Sequence, residues 1–373
     1  MLDPRRLRLL CDLSRMKTIA AVAQANTFTP SAVSQQLSAL EREAGVRLLE
    51  RTGRGVAFTA AGRVLVEHAE VVLAALERTT SALAAVADGL SGPLRIGAFP
   101  TAVRTLLPGA LVALGRRHPG LELMVTELDP VAVPAALLER RLDVGLINDY
   151  DVVPTKPDST LDTAPLLEET VFLAVPETAP ISSLHESQDT AWILATPGTL
   201  CHTVTLHVCR AAGFVPRARH HADDFATVLA LVAAGQGVSL VPELATAHAN
   251  LPGNRPLSRP PTGRLPGNRR LSHPQTGRLP GKLPDHPPGV RLIPLSTRRR
   301  TRIACRKGAA SHPAISAFTE AIHRTAAFTE AIHGTAAFTD ATHGTAAFTE
   351  ATHGTAAFTE GTRGAESGPL RAG

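Results

Sequence analysis

The chain has 373 residues, with 38 lysines and arginines against 33 aspartates and glutamates for a formal net charge of +5. That length allows two or three domains, each with its own core, and an apolar content of 44% excludes a disordered or fibrous chain. Four scattered cysteines, Cys11, Cys201, Cys209 and Cys305, form no CxxC pair or regular framework, which excludes a disulfide scaffold and points to a reducing compartment. Neither a secretory leader nor a membrane span is read in the sequence, so the expected location is cytoplasmic, with no membrane partner. Charge is unevenly spread. Residues 1–60 carry +4, residues 251–302 carry +11 and the remainder carries −10, so the basic pI of about 9.4 is no argument for a nucleic-acid partner by itself.

Residues 18–59 read as short helices, a tight turn, a third helix and a β-hairpin, the order of a winged helix-turn-helix. The third helix marks its own start, with Thr29 as hydroxyl N-cap and Pro30 at the first helical position. Val33, Leu37 and Leu40 recur at steps of four and three and share a buried side. Ser31, Ser34, Gln35 and Ser38 fall on the other sides, free to touch DNA. Ser34 and Gln35 are the best candidates for base contact, because hydroxyls and amides both donate and accept. Upstream, Leu7, Leu10 and Leu13 continue a helix that Ile19, Ala20 and Ala23 of a second helix can approach closely. Downstream, a glycine-bracketed turn places Arg54 at the tip of a wing, suited to a phosphate or a narrow minor groove.

The stretches TPSAVSQQLSALEREAGVRLLERTGRGV and LVAAGQGVSLVPELA resemble LysR-type transcriptional regulators, and the likeness extends over about 7–326. It implies that Thr29, Ser31, Ser34, Gln35, Arg51 and Arg54 face double-stranded operator DNA. Two positions depart from the family pattern. Asn26 stands where a buried leucine is usual and should cost stability unless its amide is paired; Lys17 stands where a turn glycine is common.

Residues 59–89 predict one long helix opened by Thr59 and closed by Gly89. Leu65, Ala69, Val72, Leu76, Thr79, Leu83 and Val86 alternate steps of four and three, the spacing of a coiled-coil seam. The resemblance implies a dimerisation helix, hence a homodimer or homotetramer whose two heads face two half-sites.

Beyond Gly92 and Pro93 the texture changes to alternating strands (94–98, 121–127, 142–148) and helices, which predicts a parallel sheet with ligand bound beyond the carboxyl ends of its strands. A second unit repeats the pattern from about residue 165, with strands at 171–176 and 192–198, a helix at 204–212 and the run 228–242. Two such lobes resemble the type 2 periplasmic-binding-protein-like effector domain of LysR-type regulators. The expected fold class is therefore an N-terminal all-α winged helix-turn-helix with a linker helix, followed by a two-lobed α/β domain. Expected boundaries are 1–60 for the head, 61–90 for the linker and 93–326 for the effector domain. Lobe I takes 93–165 and about 310–326, and lobe II about 166–309. Pro100, Thr101, Ala102, Asn148, Thr196, Pro197, Gly198 and Thr199 are expected to line the cleft. Threonines at two helix starts favour a small anionic effector.

No metal or cofactor site is expected, since the spacing of His202, His207, His220 and His221 supports none. A catalytic reading through Cys201, His202 and Asp223 is disfavoured, because neighbours on a chain seldom align for proton transfer and no GxSxG or P-loop accompanies them. A stand-alone solute-binding protein, the other alternative, is opposed by the DNA-binding head. Two tracts break the pattern. A 14-residue Pro/Gly/Arg repeat at 251–285 reads as a mobile surface insertion, after which VRLIPL at 290–295 resumes the fold. A ten-residue repeat begins at Ala317; each copy turns 1000° at 100° per residue, so no continuous apolar stripe forms. Only about 315–326 is expected to be a packed helix, with 327–373 a disordered tail.

Overall fold

A computed structural model describes residues 1–53, 55–86, 89–153, 157–246 and 288–340. Residues 1–330 form one compact unit. The head consists of α1 (Pro4–Met16), α2 (Ile19–Ala25), α3 (Pro30–Ala44) and the antiparallel hairpin β1 (Leu49–Thr52) and β2 (Gly55–Phe58). Its core is a cluster of Leu7, Leu10, Leu13, Val22, Ala23, Val33, Leu37 and Leu40, the periodic apolar positions of the three helices. Caps set the helix starts. Asp3 accepts from the Arg5 amide, Thr18 from Ala21 and Thr29 from Ala32.

Both departures from the family pattern acquire a physical account. The Asn26 amide donates to Asp12 Oδ2 at 3.1 Å and to the Val22 carbonyl at 3.0 Å, so it is paired and ties α2 to α1. Lys17 ends α1 in the left-handed region at φ 66°, where glycine would be unstrained.

The linker α4 (Ala60–Val86) opens on Thr59, whose hydroxyl accepts from the Gly62 amide at 3.0 Å. Only part of its expected seam is covered. Ala69 is 1% exposed within the head core, whereas Val72, Leu76, Leu83 and Val86 stand 44%, 42%, 70% and 84% exposed. Residues 87–88, before Gly89, lie outside the described residues.

The effector domain runs through β3 (Ser91–Ala98), α5 (Pro100–Thr105), α6 (Leu107–Arg117), β4 (Gly120–Glu127), α7 (Val133–Leu138), β5 (Val144–Tyr150) and β6 (Leu161–Pro176). It continues with β7 (Ala191–Leu194), α8 (Leu200–Ala211), β8 (Arg217–His221), α9 (Phe225–Ala233), β9 (Ser239–Pro242), α10 (Glu243–Thr246), β10 (Val290–Arg306) and α11 (Pro313–Asp340). The parallel expectation holds for β4, β3 and β5 and for β7 with β8. It fails at the centre. The six-stranded order is β4-β3-β5-β10-β6-β9, and β10 runs antiparallel to both β5 and β6. The reason is length: β6 and β10, of 16 and 17 residues, cross between the lobes as a continuous ribbon, so VRLIPL is only the first third of a strand.

Two further boundaries differ from expectation. The helix expected at 204–212 begins at Leu200, because Thr199 caps it by accepting from the His202 amide at 3.2 Å. Helix α11 extends past Ala326 to Asp340, since one Gly334 costs about 1 kcal/mol without breaking an Ala-rich helix. Its contribution to the lobe I core, through Ala314, Ile315, Phe318, Ala321, Ile322 and Ala326, ends at Ala326. The insertion at 251–285 and the tail from 341 lie outside the described residues.

Linker and effector domain meet at a small-residue joint. Gly308, at φ +87°, lies so close to α4 that a Cβ there would sit 2.3 Å from the Ala74 carbonyl oxygen. Beside it Ser81 is 2% exposed, and Glu77 forms ion pairs with Arg140 and, at 3.5 Å, with Arg306. Arg306 also meets Asp143 at 3.5 Å and donates to the Leu137 and Leu142 carbonyls.

Candidate functional site

On α3 the residues expected to face DNA divide into three environments. Ser31, Gln35 and Ser38 are exposed, opposite Val33, Leu37 and Leu40. Gln35 makes no hydrogen bond among the described residues, which leaves both ends of its amide available. Ser34 is half-buried and donates to the Pro30 carbonyl at 2.9 Å, and the Thr29 hydroxyl accepts from Ala32; both hydroxyls already serve the helix. Gln36, not singled out in the sequence, accepts from Arg6 Nε at 2.9 Å and braces α3 against α1. Arg51 lies on β1 opposite Val56, and Arg54 is outside the described residues.

The cleft lies where the carboxyl ends of β3, β4 and β5 face the start of α8, and it holds a cavity of about 260 Å³. Four of the eight expected residues line it: Pro100, Thr101, Asn148 and Thr199. Thr196, Pro197 and Gly198 do not line it, and Ala102 is fully buried in the lobe I core. Thr196 is instead held by Asp223, whose carboxylate accepts from its amide at 2.7 Å and its hydroxyl at 2.8 Å. The Thr199 hydroxyl donates to the Thr196 carbonyl at 2.8 Å while capping α8.

Several lining groups escaped the sequence reading. Arg299 is the clearest. It is 1% exposed at the cavity floor, its Nε and Nη2 reach Glu169 Oε1 at 2.7 and 2.6 Å, and its guanidinium lies 5.0 Å from the Phe99 ring centroid. Burial opposes its charge, yet Glu169 outweighs burial and keeps it above its ordinary value. Arg299 was hidden in the run TRRRTR, counted above with the basic insertion. Two of its neighbours in β10 have partners across the β6 register: Arg300 pairs with Glu168 at 3.1 Å, and Arg298 donates to the Thr170 hydroxyl at 2.9 Å. Glu127, Asp129 and Asp223 also line the cavity. At its mouth Arg104 of α5 forms an ion pair with Asp224, the N-cap of α9, across the two lobes. Burial would raise the Asp224 carboxyl, but Arg104 holds it below its ordinary value.

The thiols are poorly disposed for chemistry. Burial pushes Cys201 up, and Cys209 to about 12. The Cys201 Sγ lies 3.8 Å from the Tyr150 hydroxyl, and the Asp223 carboxylate is taken up by Thr196 rather than by His202. A second cavity of about 300 Å³ lies at the linker joint, away from the strand ends. Its Arg15, Arg140, Arg306 and Lys307 already have acidic partners.

Comparison with known proteins gives this geometry its context. The family model of the bacterial regulatory helix-turn-helix protein, lysR family, matches residues 4–63, and that of the LysR substrate binding domain matches residues 87–280, more than half of the chain. The chain belongs to the LysR family of transcriptional regulators. It is 32% identical over 245 residues to a probable hydrogen peroxide-inducible genes activator of Mycobacterium avium, covering 64% of this chain and 77% of that protein. To the DNA-binding transcriptional dual regulator OxyR of Escherichia coli it is 29% identical over 246 residues, covering 65% and 79%. To the transcriptional dual regulator GltC of Bacillus subtilis it is 26% identical over 248 residues, covering 65% and 81%. A solved full-length OxyR variant from Pseudomonas aeruginosa shares the fold, with a TM-score of 0.51 at 21% identity over 86% of this chain and 95% of that one. As a LysR regulator, the protein binds DNA through its head and regulates transcription in response to a small molecule. Among the described residues no helix is long and apolar enough to cross a membrane.

Proposed function

We propose that this LysR regulator reads operator DNA through Ser31, Gln35 and Ser38 of α3, with Arg51 and Arg54 on the wing, and that Thr29 and Ser34 support the helix from its first turn. The observation that carries this reading is the two-sidedness of α3, whose exposed polar side contains an amide with no other commitment. Two heads are presented by pairing of α4 along its uncovered Val72, Leu76, Leu83 and Val86, which gives a homodimer that can pair again into a tetramer. It acts in the cytoplasm, where operator DNA is found. Gel-shift titration tests the base-reading role: Gln35→Ala should cost about 1–3 kcal/mol on the cognate operator and nothing on a random duplex. Equal losses on both would contradict it.

The effector enters the cleft between Thr101 and Asn148 on one lobe and Thr199 on the other, and the regulator acts by releasing or tightening the Arg104 and Asp224 contact as the lobes move. Several relatives are peroxide-inducible activators by name, which raises a thiol reading. Two observations favour a bound molecule over thiol oxidation. Both α8 thiols are pushed up by burial, and eight residues of helix separate them by about 12 Å, beyond disulfide reach without unwinding α8.

A further inference from the structure

We infer that the effector of this cleft is a zwitterion of the α-amino-acid type with an apolar side chain, a class that rests on the cleft reading above and adds to it the charge at each end of the ligand. The cavity is polar in two opposite senses, and burial separates them. At its floor, on lobe I, Thr101 and Asn148 are 2% and 8% exposed, and both line the cavity. The Thr101 hydroxyl makes no hydrogen bond. The Asn148 side chain keeps its carbonyl oxygen out of solvent contact and leaves its amide nitrogen, likewise unbonded, as the accessible end. Buried donors without a partner are unfavourable, so the floor calls for an acceptor. A carboxylate supplies one oxygen to each.

The outer lining has the opposite sense. Glu127 and Asp223 are exposed and Asp129 is half-buried, and all three line the cavity. Glu127 makes no hydrogen bond or ion pair among the described residues. Asp129 accepts from the Val131 amide at 2.9 Å, and Asp223 from the amide and hydroxyl of Thr196, neutral donors that leave both charges in place. No uncompensated cation stands against them. Arg299 lines the same floor and its Nη2 makes no hydrogen bond, but its charge is matched by Glu169, the two side chains sealed at 1% and 5% exposure. Arg104 is held by Asp224. A net anion would therefore meet unbalanced negative charge, and a net cation would leave the floor donors unpaired. A zwitterion satisfies both ends, with its carboxylate on Asn148 and Thr101 and its ammonium toward the three acidic groups. Thr199 on the facing lobe does not compete for the carboxylate, because its hydroxyl already donates to Thr196 and accepts from His202. Phe99, Leu128 and Phe225 add an apolar lining for the side chain.

The test is calorimetric titration of the full chain at about pH 6.5, where an α-amino group is protonated, with four compounds on one skeleton: leucine, leucinamide, N-acetylleucine and N-acetylleucinamide. They carry both charges, the positive alone, the negative alone and neither. Leucine is expected to bind about tenfold ahead of each of the others. Asn148→Ala should weaken leucine about tenfold and leave leucinamide unchanged, and Thr101→Val should act in the same direction. Glu127→Gln, at an exposed position, should weaken leucine and leucinamide alike and spare N-acetylleucine. Any of the other three binding ahead of leucine in an Asn148-dependent way would overturn the zwitterion while leaving the cleft reading intact. Leucine binding that none of the three substitutions changes would place it elsewhere and overturn the cleft as well. Absence of any heat with leucine would also overturn the inference.

Discussion

Single residues in this protein often act by satisfying one neighbour. Asn26 is the plainest case, a polar group at an apolar position that is kept because its amide reaches Asp12, whose carboxyl burial pushes up. Lys17 sets against its left-handed backbone only an exposed hydrogen bond from its Nζ to the Ser14 carbonyl, so Lys17→Gly should stabilise the chain by about 1 kcal/mol, read as a higher midpoint in urea unfolding; a lower midpoint would show that the Lys17 side chain contributes more than the strain costs. The thiols make a second prediction. With Cys11 and Cys209 pushed to about 12 and Cys305 to about 11, less than about a hundredth of each is thiolate at pH 8. Iodoacetamide followed by mass spectrometry should therefore leave all three unlabelled in the folded chain and label them after denaturation. Fast labelling at neutral pH would contradict the burial argument. Asp224 sets the sign of the acid response. Its folded value is depressed, so its contribution to lobe closure is complete above the ordinary carboxylate range and fades only as pH falls through the depressed value. Lobe closure, followed by small-angle scattering, should therefore be flat across neutral pH, and a transition between pH 6 and 8 would exclude this pair as the latch.

At the scale of elements, α3 was legible because local rules dominate it: a cap, a first-turn proline and an apolar period of four and three all agree. The ends of β3, β4 and β5 were legible for a similar reason, since apolar runs that alternate with helices have few alternatives. β10 was not. Its arginines read as a solvated basic tract because the carboxylates that neutralise them, Glu168 and Glu169, lie some 130 residues earlier and meet them only across the β6 register. Half of the expected cleft lining was lost to the same kind of long-range fact, with Thr196 turned onto Asp223 and Ala102 packed inward. Helix α11 shows the converse. Its repeat continues as helix to Asp340, but its core positions end at Ala326, so Phe318→Ala should destabilise the chain by about 3–5 kcal/mol in denaturant unfolding, and a loss below 1 kcal/mol would mean that the helix is not part of the core.

In the whole molecule, one strand joins the two functions. β10 carries Arg299 at the cavity floor and ends at Arg306, which with Gly308 grips α4 through Glu77 and Ala74. Seven residues of strand span about 23 Å, a direct connection between effector and linker. Glu77→Gln should therefore leave effector affinity unchanged while reducing the effector's influence on operator binding, and unaltered coupling would place the connection elsewhere. The measurement that bears most directly on the protein as a whole is footprinting of the full chain on DNA flanking its own gene, compared with Gln35→Ala. Protection of two half-sites an integral number of helical turns apart, lost from the base-specific positions in the variant, is the predicted result. A chain that remains monomeric and protects no promoter fragment in preference to random duplex at physiological salt would contradict it.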